Sequence, residues 1–180
     1  DALAPWIERA AAGEAGSLTT EPVIAFEETS GTTSGAKLVP YTARGLAAFR
    51  AGLLPWLDAL FERFASLANG RHYWAISPAA RAPRRTTGGI RIGLAGDAEY
   101  FGVALAPLIL DVLAVGPHVA ALTDVSEWRA ATLCHLFECE DLALVSVWSP
   151  TFLTGLLASV APERIAAALR RRARCSPSRI

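Results

Sequence analysis

Short apolar runs closed off by Pro, Gly or Asn alternate along this chain with longer stretches whose apolar residues recur at helical spacing. That alternation constrains the fold more than any other feature. Pro22 to Phe26, His72 to Ser77 and Leu142 to Trp148 are short, apolar and bounded by turn residues, so they read as buried strands. Ala4 to Ala12, Ala43 to Ala68, Val103 to Val115, Ser126 to Leu136 and Glu163 to Ala173 carry the longer period and read as helices. Strands and helices in alternation argue an α/β fold with a largely parallel sheet flanked by helices. The chain has 180 residues, 52% of them hydrophobic. One domain is the expectation at that length, and the apolar excess suits a sheet covered on both faces, or a piece whose absent partner covers an exposed face.

The punctuation is specific. Pro5 is tolerated in the first turn of the first helix and Gly13 is placed to end it. Thr42 is the expected cap of the helix carrying Leu46, Phe49, Leu53, Trp56, Leu57, Leu60, Phe61 and Phe64, and Pro55 predicts a kink or break there. Ala79 to Gly89, with Arg81, Arg84 and Arg85, reads as a solvated loop, and Ile90 to Gly96 as a short strand or turn. Phe101 to Leu122 is the most apolar stretch, but Pro107, Asp111, Pro117 and His118 interrupt it. A buried helix stopped by Gly116 and Pro117 therefore fits better than a membrane span. Ser126 is the expected cap of the next helix, and Ser149-Pro150 and Pro162 open the two that follow.

Composition excludes several function classes. With 17 basic and 17 acidic residues, the chain has no charge excess for a general nucleic-acid or membrane-surface partner, and the arginines from Arg170 to Arg174 read as a solvated helix end. Cys134, Cys139 and Cys175 are odd in number and lack C-x-x-C spacing, which reads as reduced, buried thiols in a cytoplasmic protein. His72, His118 and His135 lie in separate elements and read as structural histidines, with no metal-ligand spacing. No G-x-S-x-G elbow occurs. The chain starts at Asp1 and contains no methionine, so it is expected to be a piece of a longer protein.

The chemistry concentrates in Thr29-Ser30-Gly31-Thr32-Thr33-Ser34-Gly35-Ala36-Lys37, nine residues with five hydroxyls, two glycines and a lysine. Glycines let a backbone turn and approach a ligand closely, hydroxyls and N–H groups donate to phosphate oxygens, and lysine adds a point charge. An apolar run before it and a helical pattern after it put the loop at the carboxyl end of a strand, where open α/β sheets bind ligands. The spacing fits neither the Walker loop nor the dinucleotide fingerprint. A surface turn rich in Ser, Thr and Gly is the alternative reading of the same residues.

These nine residues resemble the Ser/Thr-Ser/Thr-Gly-Thr-Thr/Ser-x-Gly-x-x-Lys loop of adenylate-forming enzymes, with one residue fewer before the lysine. Glu21-Pro22-Val23, Val39-Pro40-Tyr41-Thr42, Tyr73 to Pro78 and Val145 to Leu153 are similar to the auxin-responsive Gretchen Hagen family of that superfamily, the acyl-acid amido synthetases. The resemblance implies that residues 1–174 are a partial amino-terminal adenylating domain, and residues 175–180 read as a tail beyond it. It implies ATP and Mg2+ as cofactors, a carboxylic acid and an amine, such as an amino acid, as substrates, and the rest of the parent chain as partner. Thr29, Ser30, Gly31, Thr32, Thr33, Ser34, Gly35 and Lys37 would then cradle the β- and γ-phosphates. Trp148, Ser149, Pro150 and Thr151 are candidates for lining the acyl pocket, although capping and packing explain them equally. The family's later motifs for adenine, ribose and the mobile lysine have no match here, and Asp97 has no context that would make it the ribose ligand. The chain alone is therefore expected to be catalytically incompetent. The alternative is a non-catalytic α/β binding or interaction module.

Overall fold

The computed structural model describes residues 2–29, 37–76 and 82–175. In chain order the elements are α1 (Ala4–Ala11), β1 (Ala25–Glu28), β2 (Leu38–Tyr41), α2 (Ala43–Arg63), β3 (Arg71–Ala75), β4 (Arg84–Arg85), β5 (Arg91–Ile92), α3 (Gly102–Val112), α4 (Pro117–Ala120), α5 (Val125–Glu138), β6 (Leu142–Val147), α6 (Pro150–Leu157) and α7 (Pro162–Cys175). Short 3-10 turns at Ala65–Asn69 and Asp97–Phe101 complete the described set. Two compact units result, Asp1–Asp58 with Ala82–Ala106, and Ala59–Arg81 with Pro107–Ile180.

The first unit is built on a four-stranded sheet of order β2-β1-β5-β4. β1 pairs antiparallel with β2 and parallel with β5. The strand expected at Pro22 to Phe26 starts three residues later and ends two later, because ladder pairing and not the apolar run sets its limits. β2 was not expected at all, since Pro40 speaks against a central strand. It is an edge strand among the described residues, and an edge tolerates a residue without an N–H. Ala25 and Phe26 are fully buried, and Tyr100 packs on Tyr41 and Phe49 at 6.1 and 5.5 Å between ring centroids. Gly88 docks against the end of α1. Its N–H donates to Ala11 O at 2.9 Å, and a Cβ there would lie 2.4 Å from Ala12 C.

The second unit is organised by the parallel pair β3 and β6, in register from His72↔Leu144 to Ala75↔Val147. His72 to Ala75 are buried without interruption, as a strand covered on both faces requires. Tyr73, Ala75, Val119, Trp128, Leu133, Leu136 and Leu156 form one apolar cluster, joining this pair to α4, α5 and α6. His72 is a satisfied core residue, as expected: its ring Nε2 is 2.9 Å from Leu67 O, and its ring meets Phe61 edge-on.

Other details depart from expectation. α2 runs unbroken through Pro55 to Arg63, and the 3-10 turn after Phe64 takes the remainder of the expected helix. The α5 cap is Asp124 and not Ser126: its carboxylate accepts from Ser126 N at 2.9 Å and Glu127 N at 2.8 Å. Gly116 and Pro117 do not merely stop a helix, since Pro117 opens α4. Most notably, α3 has no buried residue, with Val103 96% and Leu108 61% exposed. Apolarity states what a helix face gains from cover, not that this chain supplies the cover. No helix among the described residues is long and apolar enough to cross a membrane.

Candidate functional site

The described part of the candidate loop is its base. Register pairing from Ala25↔Tyr41 to Glu28↔Leu38 brings the chain to Thr29 on one strand and Lys37 on the other. There the Thr29 N–H donates to Lys37 O at 2.9 Å, and the Lys37 N–H donates to the Thr29 hydroxyl at 3.1 Å. The first of the five hydroxyls therefore accepts a backbone bond that closes the loop. Both residues are exposed. Ser30, Gly31, Thr32, Thr33, Ser34 and Gly35 lie outside the described residues.

This base differs from the strand-loop-helix order expected from sequence. The loop leaves the carboxyl end of β1 as anticipated, but it returns as β2 before α2 begins. Its two ends, Thr29 and Lys37, thus follow directly on the antiparallel ladder of β1 and β2. Thr42 then caps α2, its hydroxyl accepting from Gly45 N at 3.0 Å, as expected from the sequence.

Beside the base, the Arg84 guanidinium on β4 binds the Glu28 carboxylate, one residue before Thr29. From sequence Arg84 is expected in a solvated loop, with a substrate or phosphate contact as the alternative. The two residues are 56 positions apart, and only the β4-β5-β1 arrangement brings them together. Further along the same unit, Glu99 receives the Arg91 guanidinium on both oxygens and the Ala95 N–H at 2.7 Å. Partial burial pushes its carboxyl up, but these donors outweigh burial and hold it below the usual carboxylate range. Asp97 opens the 3-10 turn Asp97–Phe101.

In the second unit, Trp148 to Thr151 form the junction of β6 and α6, as the sequence suggested. The Trp148 N–H donates to Ala75 O at 3.0 Å, while its ring is 52% exposed and tilts against Phe152 at 5.9 Å. Ser149 and Thr151 share a hydroxyl bond of 2.7 Å. The partner strand β3 ends at Ala75, and residues 77–81, which include Ser77, Pro78 and Arg81, lie outside the description.

Neither described cysteine is buried, contrary to expectation. Cys134 is exposed, not buried, because its helix turns that position outward. Its thiol donates to Glu138 at 3.2 Å, and that bond and the neighbouring charge push the thiol up. His118 and His135 lie in separate elements, as expected, and meet at 3.3 Å between their Nε2 atoms. Seventeen residues separate them, and only the packing of α4 on α5 joins them. No group of three or more His, Cys, Asp or Glu suited to a metal occurs among the described residues.

No curated protein matches the chain in sequence. Among solved structures, the chain is similar to an Arabidopsis protein described as "AtGH3.15 acyl acid amido synthetase in complex with 2,4-DB", with a TM-score of 0.65 and 21% identity. That match covers 92% of this chain and 29% of the other, so the chain spans under a third of that structure's length and shares its fold over that part. Residues 1–172 match the N-terminal domain of the GH3 family, and to that family this chain belongs.

Proposed function

We propose that this chain carries the pyrophosphate side of an ATP-dependent acyl-acid amido synthetase of the reducing cytoplasm. Such an enzyme activates a carboxylic acid as its adenylate and passes the acyl group to an amine, such as an amino acid. The reading rests on one observation above the others: the Thr29 to Lys37 loop leaves the carboxyl end of β1 and is closed at its base by two hydrogen bonds between Thr29 and Lys37. Joining Thr29 to Lys37 fixes the two ends of the loop, which lowers the ordering cost of binding.

In the first half-reaction a substrate carboxylate oxygen attacks the α-phosphorus of ATP. The bond to the bridging oxygen breaks, and pyrophosphate leaves with its negative charge. The protein's task is to hold and neutralise that leaving group. Hydroxyls of Ser30, Thr32, Thr33 and Ser34 donate to its oxygens, Gly31 and Gly35 let the backbone approach, and Thr29 and Lys37 fix the entry and exit of the loop. Lys37 also brings the positive charge. The donor set fits phosphate oxygens: the nine residues offer hydroxyls, N–H groups and an ammonium, and no carboxylate. Magnesium would supply further neutralisation of the phosphates, held to this loop only through their oxygens.

The test is carboxylate-dependent exchange of labelled pyrophosphate into ATP, by the longest polypeptide that contains this chain. Wild type is compared with Lys37→Ala and Gly31→Val over a panel of carboxylic acids. Each variant should lower exchange about 100-fold, the scale of losing one preorganised electrostatic contact. Undiminished exchange in both variants removes the loop from the reaction. Absence of exchange with every acid, while the protein is folded, favours a non-catalytic module.

A further inference from the structure

We infer that His118 and His135 form a two-point binding site for a divalent transition-metal ion such as zinc, separate from any magnesium carried by a nucleotide. Two nitrogens bound to one tetrahedral zinc stand about 3.3–3.4 Å apart, given Zn–N lengths of about 2.0–2.1 Å. The two Nε2 atoms are 3.3 Å apart, the separation a shared tetrahedral ion requires.

The imidazoles meet edge to face, with centroids 5.3 Å apart and planes at 68°, so their edges converge without stacking. His135 projects from α5, a 14-residue helix that buries Trp128, Leu133 and Leu136 and gives the ring a rigid base. His118 sits on the short helix α4, beside Val119, which is 1% exposed and anchors that helix in the core. Its ring folds back over Gly116, where an added Cβ would lie 2.8 Å from Nδ1. Glycine at 116 is thus what leaves room for this ring position. Its φ of −73° is ordinary, so the backbone does not require it.

Imidazole ligands with no carboxylate or thiolate joining them favour Zn2+, Ni2+ and Cu2+ over the oxygen-seeking Mg2+ and Ca2+. His118 is exposed, so water can complete the coordination. Glu138, three residues on from His135 along α5, is bonded to Cys134, and the charge of Arg164 of α7 acts on that same thiol. Bridging α4 to α5, the ion would tie a helix of four residues to one of fourteen.

The test uses the full chain with the metal alone. Equilibrium dialysis should find one Zn2+ per chain, tighter binding of Cu2+ in keeping with the divalent series, and none of Mg2+. At about 100 times its dissociation constant, Zn2+ should raise the thermal midpoint by about 5–10 °C. His118→Gln, at an exposed position that leaves the core intact, should weaken binding by at least tenfold, as should His135→Gln. Gly116→Ala keeps both imidazoles but displaces one ring, and should weaken binding as well. Zinc bound at wild-type strength by any of these three folded variants overturns the inference, as does a wild-type chain that binds no zinc.

Discussion

Gly70 offers the sharpest test of how closely the organising strand pair of the second unit is packed. It precedes β3 at the point where register shifts between Arg71 and His72, opposite the chain that enters β6. A Cβ on Gly70 would lie 2.4 Å from Ala143 Cβ and 2.6 Å from Asp141 O. Contacts of that kind are ordinary only at about 3.5–4.0 Å, so the two segments must part by about 1 Å. Two costs follow from Gly70→Ala. Overpacking of a closed site costs about 1–3 kcal/mol. The separation also strains the bond from Arg71 N to Asp141 O, 2.9 Å long, whose net value is about 0.5–1.5 kcal/mol. Together these give about 3 kcal/mol, or a fall of about 6–12 °C in thermal midpoint for a chain of this size. Gly155→Ala is the control. It lies inside α6 with nothing within 4 Å of its added Cβ, and should stabilise by up to about 1 kcal/mol. Both variants are read by thermal and urea denaturation followed by circular dichroism. If Gly70→Ala melts with the wild type while Gly155→Ala behaves as stated, the close approach of Gly70 to Ala143 is wrong.

Two further outcomes are expected. Glu99, whose carboxyl is held below the usual range, contributes stability that is present above the unfolded carboxylate value of about 4.3 and lost as pH falls through its lowered folded value. Glu99→Gln should lower stability by roughly 0.5–1 kcal/mol at neutral pH, as for half-exposed pairs, and should flatten the acid limb of a stability–pH curve; an unchanged limb would refute it. Thr132 is fully buried, and its hydroxyl has no hydrogen-bond partner among the described residues. Thr132→Val keeps the shape and removes the stranded group, so it should raise stability by about 1 kcal/mol, measured by urea denaturation. A loss of stability would show that the hydroxyl is satisfied.

The α/β architecture and most elements were legible because they depend on local period and local punctuation. Leu142 to Val147 is a strand and Ser149-Pro150 a helix start in sequence and structure alike. The candidate loop was legible for the same reason, since its chemistry lies in nine consecutive residues. β2 was not, because its Pro40 is acceptable only on an edge, and edges are defined by which strands pair. The Asp124 cap lies two residues before the one expected, both residue types being suitable acceptors; the backbone alone selects between them.

What the sequence determined by itself is therefore the set of short-range commitments: where the chain turns, which runs are apolar, and where hydroxyls, glycines and a lysine are concentrated. Only the tertiary structure decided which distant groups meet. Arg84 reaches Glu28 across a sheet, and His118 reaches His135 between two helices. No local periodicity encodes such pairs, because their separation in sequence is set by connections and their separation in space by packing. The exposed face of α3 shows the same division from the other side, since its apolarity is written in the chain and its lack of cover belongs to the fold.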